Sequence, residues 1–405
     1  MALQSGIAAG LVPAFRVHNF VLPTLLGAAV AAILTTGFVT SAPNRLLSGR
    51  PIGLFAATDL RLGIAIAAIA AVLLLTSVAP PARALQRAAA VLAGGLFLLV
   101  LAAAGEAAAA LAAAAPVVAR ISLGAGFWIL LGVAALALID TLQRAGAGLG
   151  DRFLVIAVLV LAIAAMADAG VFDALSLARE YRTHQDLFAA AVVRHIVLVA
   201  AAIGPAVLIG LPLGIAAARH PRVPGPLFAV LNLLQTVPSI ALFGLLIVPL
   251  SALALALPVL ARLGIGGIGA APAIIALILY ALLPIVRNSA AGVAGVDRAV
   301  IDAARGMGMT QHQLFWRVEL PLALPLLLAG LRIVTVQAVG LAVVAALIGA
   351  GGLGTFVFEG LGQYAADLVL LGALPAIGLA LAADFLLQTL SGLASRRPSA
   401  VTLSP

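Results

Sequence analysis

The chain has 405 residues, 64% of them hydrophobic and only 9% charged, with a mean hydropathy of +1.25 and a formal net charge of +8. A soluble domain carries nearer a quarter charged residues, so this chain is made for lipid, with room for about ten spans of roughly 20 residues each. All 22 basic residues are arginine and there is no cysteine, which excludes a lysine-bearing phosphate loop, disulfides and thiolate-held metals.

The arginines stand at the ends of apolar runs, the pattern that orients membrane proteins; nucleic acid is not expected as a partner. In chain order, residues 20–40 are too long for a signal-peptide core and read as a retained first span. Residues 41–62 read as a polar loop and 63–78 as a second span, ended by Pro80, Pro81, Arg83 and Arg87. A third span starts near Ala88 and is interrupted at Glu106; the alanine-rich tract that follows, to Pro116, is expected at the interface. Residues 124–139 and 153–167 supply the fourth and fifth spans.

Residues 171–190 read as a polar extracytoplasmic joint. Asp173, Arg179, Glu180, Arg182 and Asp186 suit a short amphipathic helix or, more simply, a solvated linker. Beyond it, residues 196–218 form a span. Residues 227–261 are free of charge but broken by Pro238, Pro249 and Pro258, which suggests one span followed by a re-entrant or irregular outer segment shielded from lipid. Residues 263–286, 322 to about 350 and 368–390 complete five spans in this half. The domains expected are therefore a membrane extension (1–170), the joint (171–190), a transport domain (191–392) and a tail (393–405).

The longest polar interruption of the second half is residues 302–321, DAARGMGMTQHQLFWRVELP. The spacing predicts a short helix with a small-residue face at Ala303 and Ala304, a tight turn at Gly308, and Pro321 opening the next membrane helix. Asp302 and Arg305 are suited to charge-assisted contacts. The stretch resembles the "EAA" loop of ABC-importer permeases, which reads E-A-A, three residues, G, nine residues, I-x-L-P. Asp302 stands for the Glu and Val318 for the Ile, while Ala303, Ala304, Gly308, Leu320 and Pro321 match without change of spacing.

The runs LNLLQTVPSIALFGLL (231–246), PAIIALILYALLPIVRN (272–288), VELPLALP (318–325) and ALIGAGGLG (346–354) resemble permeases of glycine betaine, choline and related osmoprotectants. SAPNRLLSG, GFWILLGVAAL and LSLAREY in the first half resemble the extended Yeh-type branch of these permeases. The resemblance implies an all-α polytopic membrane protein of the bacterial inner membrane, with a type I importer core of about five spans preceded by about five extra ones. It implies a non-enzymatic subunit that needs no cofactor of its own, ATP being bound by a separate ATPase that docks on the 302–321 loop. A second permease subunit, the same chain or a paralogue, and an extracytoplasmic substrate-binding protein complete the implied machine. A cytoplasmic loop places both termini in the cytoplasm and gives 13 arginines inside and 8 outside, the expected sign. Another small solute such as an amino acid, or an ion-coupled secondary transporter, are the alternative readings.

Polar side chains inside the apolar runs are costly against lipid and mark candidates for the translocation path. Asn232, Gln235, Thr236, Pro238 and Ser239 line a helix break, with interhelical hydrogen bonding as the competing reading. Arg332, with Thr335 and Gln337, follows the loop; it is expected to snorkel to the cytoplasmic face, or else to line a polar cavity. Gly349, Gly351, Gly352 and Gly354 suit close helix packing or a flexible outer gate. Asp140, Asp168 and Asp384 read as span-end residues near the interface, and Glu106 and Glu359 as candidates to face a cavity. The five histidines are dispersed and expected at surfaces or interfaces, with no metal site. Neither paired catalytic acids nor an aromatic cage for a quaternary ammonium stands out.

Overall fold

A computed structural model describes residues 18–44, 47–80, 82–262 and 264–395. Arg16, Arg45, Pro81, Arg396, Arg397 and most of the 393–405 tail lie outside them. The chain divides into two compact units, Met1–Arg179 and Glu180–Pro405.

The first unit begins with α1 (Val21–Thr35), whose first amide is capped by the Asn19 side chain at 2.8 Å. The apolar run continues to Thr40, but the helix does not. Thr36 is extended and Gly37 passes so close to Pro51 that a Cβ would lie 2.5 Å from it. The chain then enters β1 (Val39–Ala42), which pairs antiparallel with β2 (Arg50–Ile52) and with β3 (Arg120–Leu123). The expected polar loop therefore holds part of a three-stranded sheet, order β2-β1-β3, in an otherwise helical chain.

Four more helices follow β2 and the short α2 (Leu54–Ala57): α3 (Leu60–Val78), α4 (Arg83–Ala113), α5 (Ala125–Arg144) and α6 (Leu149–Asp168). Glu106 does not interrupt α4. Its carboxylate accepts the Asp59 N–H at 2.9 Å, at the start of α3, and the flanking Ala107 and Ala108 are fully buried. Alanine is the best helix former, so this tract extends the helix to Ala113, buried at Ala107 and Ala108 and more exposed beyond them. The small buried alanines of α4 let neighbouring backbones come close, around a core that includes Leu22, Leu73, Val100 and Phe127.

The division between the units falls within α7 (Ser176–Arg219), a 44-residue helix containing Pro205 and Pro212. Residues 176–190 are thus helical turns rather than a linker. Their aromatic side is covered: Phe188 stacks on Phe356 at 6.2 Å, and His184 meets the same ring edge-on at 5.8 Å. The 227–261 run resolves into α8 (Pro224–Thr236), a break at Val237 and Pro238, α9 (Ser239–Ala256) and α10 (Pro258–Arg262). Then come α11 (Ala270–Ala294), α12 (Arg298–Gly306), α13 (Gln311–Leu314) and α14 (Leu320–Val344), followed by α15 (Gly354–Gly362) and α16 (Ala366–Ser395).

The second unit is built on α14, which packs between α11 and α16. Close approach is secured by glycine: a Cβ on Gly330 of α14 would lie 2.7 Å from Asn288 of α11. Among the described residues nine helices are long and apolar enough to cross a membrane, and α1 is a tenth, shorter apolar helix.

Candidate functional site

The polar segment after α11 is built by local signals. Asp297 caps α12, accepting the Ala299 N–H at 2.9 Å. The helix buries Ala304, which is 2% exposed, and turns Asp302, Ala303 and Arg305 outward. Asp302 and Arg305 pair loosely at 3.8 Å one turn apart, both largely exposed, a contact worth little to the fold. Gly308 ends the helix with φ +79, and the Gly308 N–H bonds the Arg305 carbonyl at 2.9 Å. Left-handed backbone at such a position favours glycine. Thr310 and Gln313 then form a reciprocal capping box that starts α13.

Pro321 stands in the first turn of α14, as expected, but α14 does not start from a loop. The helical path is continuous from Gln311 to Ile348, passing through a π-helical turn, Phe315–Glu319. There the Leu320 N–H reaches back five residues to the Phe315 carbonyl, and Pro321, with no N–H of its own, adds no further bond to that ladder. Val318, Leu320 and Pro321 are half-buried in this transition.

Three features of the segment were not legible in its spacing. Met307 (72% exposed), Trp316 and Val300 present apolar surface on an otherwise polar stretch. Glu319, nearly buried, pairs with Arg219 at the end of α7 at 2.5 Å. The same guanidinium lies 5.2 Å from the Phe315 ring centroid. Apolar residues in a charged stretch were a readable signal for the first; a partner 100 residues away was not for the others.

At the helix break, Gln235 donates to the Tyr280 carbonyl at 2.6 Å, and the Tyr280 hydroxyl donates to the Val237 carbonyl. Tyr280 thus satisfies a carbonyl at the α8–α9 break and fixes it to α11. Asn232 is exposed and accepts from Arg287 at 3.3 Å, while the Thr236 hydroxyl bonds back to Leu233. Pro238 and Ser239 start α9, Pro238 exposed and Ser239 half-buried. The polar run is therefore divided between a structural tie (Gln235) and exposed groups (Asn232, Thr236).

Arg332 has a partner on α16. Its guanidinium forms a bidentate pair with Asp384 of α16, with Nη2 to Oδ2 at 2.8 Å and Nε to Oδ1. Asp384 is thereby an inter-helix partner, because two opposite charges in apolar surroundings are stabilised best by each other. Gln337 is half-buried five residues farther along α14. Arg332→Leu is expected to lower stability by about 1–2 kcal/mol, discounted from a fully buried pair because both groups keep some exposure. Adding Asp384→Leu should restore most of it. A denaturation series on detergent-solubilised protein checks this, and a double variant no more stable than the single one would rule out the pairing.

Gly349, Gly351 and Gly352 have φ of +76, +77 and +84, and form a left-handed turn between α14 and α15. Gly354 opens α15, where a Cβ would lie 1.9 Å from the Val343 carbonyl oxygen. The turn is held from α7: Arg194 Nε donates to the Ala350 carbonyl at 3.0 Å, and His195 Nε2 lies 3.1 Å from the Val339 carbonyl. His195 is fully buried, not at a surface as its dispersion suggested. It is enclosed because Gly352 lets the backbone approach to where a Cβ would meet Nδ1 at 3.2 Å. Of the other acids, Glu359 and Asp168 are exposed and Asp140 pairs with Arg144 at 3.0 Å. Among the described residues no cluster of three or more His, Asp or Glu side chains is placed to hold a metal.

The 302–321 segment, the helix break and the glycine turn thus occupy three separate places, linked by α7, α11 and α14. Residues 16–178 match the family model described as ABC transporter permease YehY, N-terminal domain, and residues 210–396 match the binding-protein-dependent transport system inner membrane component. The chain is similar to the carnitine transport permease protein OpuCB of Listeria monocytogenes, 42% identical over 197 residues, covering 49% of this chain and 83% of the relative. It is similar to the osmoprotectant import permease protein OsmW of Salmonella typhimurium, at 41% over 49% of this chain and 86% of that one. The choline transport system permease protein OpuBB of Bacillus subtilis is 37% identical over 48% of this chain and 82% of its own length. The chain belongs to the binding-protein-dependent transport family: it is a multi-span inner-membrane permease subunit of an ABC importer, with ATP hydrolysis left to a separate subunit.

Proposed function

We propose that this chain provides the membrane path by which glycine betaine, choline, carnitine or a related osmoprotectant enters the cytoplasm. The substrate class rests on the relatives' named solutes. The coupling role rests on one observation: α12 and the turn after it expose Asp302, Arg305 and Met307 on a segment that leads without a break into α14. On this reading the segment is cytoplasmic, as are both termini, and two ATPase subunits dock there. A second permease subunit closes the path, and an extracytoplasmic binding protein delivers the solute.

The path is lined by exposed polar groups at the α8–α9 break, Asn232 and Thr236 foremost. ATP-driven closure of the ATPases favours an outward-open arrangement, and hydrolysis returns it. Each ligand shifts the balance only by its different affinity for the two states. ATP is then the partner's cofactor, and this chain needs none.

The test is labelled glycine betaine uptake in cells stripped of other osmoprotectant importers, expressing this chain with its ATPase and binding protein. Uptake that needs the ATPase and is competed by choline and carnitine is the expected result. Competition by an amino acid alone would move the substrate class, and uptake without the ATPase would overturn the importer reading.

A further inference from the structure

We propose that Arg219 is a positioning residue that ties the coupling segment to α7, so that α7 and α14 move as one frame and carry the loop's motion to the glycine turn. The inference rests on the reading that the ATPase docks on α12.

The frame is closed at both ends. At the coupling end, one guanidinium makes two contacts on one turn, the ion pair to Glu319 and the stacking on Phe315. At the other end, Arg194 and His195 hold the Ala350 and Val339 carbonyls. His195 to Arg219 is 24 residues, about 36 Å of helix, and Glu319 to Val339 is 20 residues, about 30 Å. The two ties are therefore about a bilayer's thickness apart. Between them, Ala206 of α7 and Val334 of α14 lie in one buried cluster.

The tie matters because of where it sits. The π turn Phe315–Glu319 is the irregular point between α13 and α14, and wide turns of this kind are points of weakness in a helix. Left alone, it would bend when α12 is displaced, and the displacement would be lost there. Arg219 grips that turn from outside and transmits the push to α7 and, with α14, to the left-handed glycines. The alternative role is local: Arg219 only neutralises a nearly buried carboxylate.

The experiment reconstitutes the full complex in lipid vesicles with its ATPase and binding protein, and measures ATP hydrolysis and solute uptake together. Arg219→Gln is expected to leave hydrolysis within about twofold while uptake falls about tenfold, within the range for a residue on a coupling route. The ATP used per solute moved therefore rises. Exchanging the charges, Arg219→Glu with Glu319→Arg, should recover uptake in part. Arg219→Lys keeps the charge without the planar stack and should fall between. This variant keeps the test decisive if Arg219→Gln fails to assemble. An unchanged ATP-to-solute ratio in assembled Arg219→Gln or Arg219→Lys would overturn the tie and leave docking intact. Failure of the parent chain to retain the ATPase on the vesicle would instead overturn the docking reading and the tie with it.

Discussion

Gly308→Asp is expected to abolish uptake while leaving the protein correctly inserted. The backbone there is left-handed, φ +79, and a Cβ would meet no atom within 4 Å. Aspartate is among the few residues that tolerate this region, so the conformational cost is about 1 kcal/mol. Nothing in the chain itself opposes the new side chain. A docked ATPase would, because covering an unpaired carboxylate costs several kcal/mol, enough to weaken docking by about a hundredfold or more. Gly308→Asn has nearly the same shape and no charge, and should keep most of the activity. The measurements are membrane content, ATPase co-purification and uptake; normal uptake by well-inserted Gly308→Asp would remove the turn from the docking surface.

Gly354→Val is expected to fail earlier, at folding. A Cβ at this position would stand 1.9 Å from the Val343 carbonyl oxygen and 2.8 Å from the Ala346 Cβ. Backbone cannot yield as the tip of a side chain can, so α15 must move away from the end of α14. Overpacking of this kind costs about 1–3 kcal/mol and sometimes more, a large part of the stability of an ordinary domain. Gly378→Ala on α16 is the control, since a Cβ there meets nothing within 4 Å; it should gain up to about 1 kcal/mol from helix propensity. The readout is the fraction of detergent-solubilised protein that stays monodisperse after heating. Gly354→Val as resistant as the parent would mean that the turn is loose rather than packed.

Legibility in the sequence followed the range of the interactions. The backbone of the 302–321 segment was readable because its signals are local: a short helix, a turn glycine and a proline at fixed offsets. The spans of the second half were readable because lipid imposes composition on length. The sheet was not. Its strands are three or four residues long, and β3 joins β1 from 80 residues away. Arg219–Glu319 and Arg332–Asp384 are likewise pairs across 100 and 52 residues, and a lone charge in an apolar run does not reveal its partner. Glu106 misled for a related reason: a charge looks like a helix end until the amide that satisfies it is known. Tyr280 offered a hint, since a hydroxyl deep in an apolar helix needs an acceptor, but the acceptor is a carbonyl freed by a helix break 43 residues earlier.

The first helix has a consequence for the surrounding lipid. Its 15 residues span about 22 Å, some 8 Å less than the roughly 30 Å hydrocarbon core of a typical bilayer. The helices packed against it, α3 and α5, have 19 and 20 residues and come close to that length. A short apolar helix beside helices that match the core is expected to thin the bilayer next to it, at a cost of fractions of a kcal/mol per ångström of mismatch. The packing of the amino-terminal unit is therefore expected to respond to the acyl-chain length of the lipids around it.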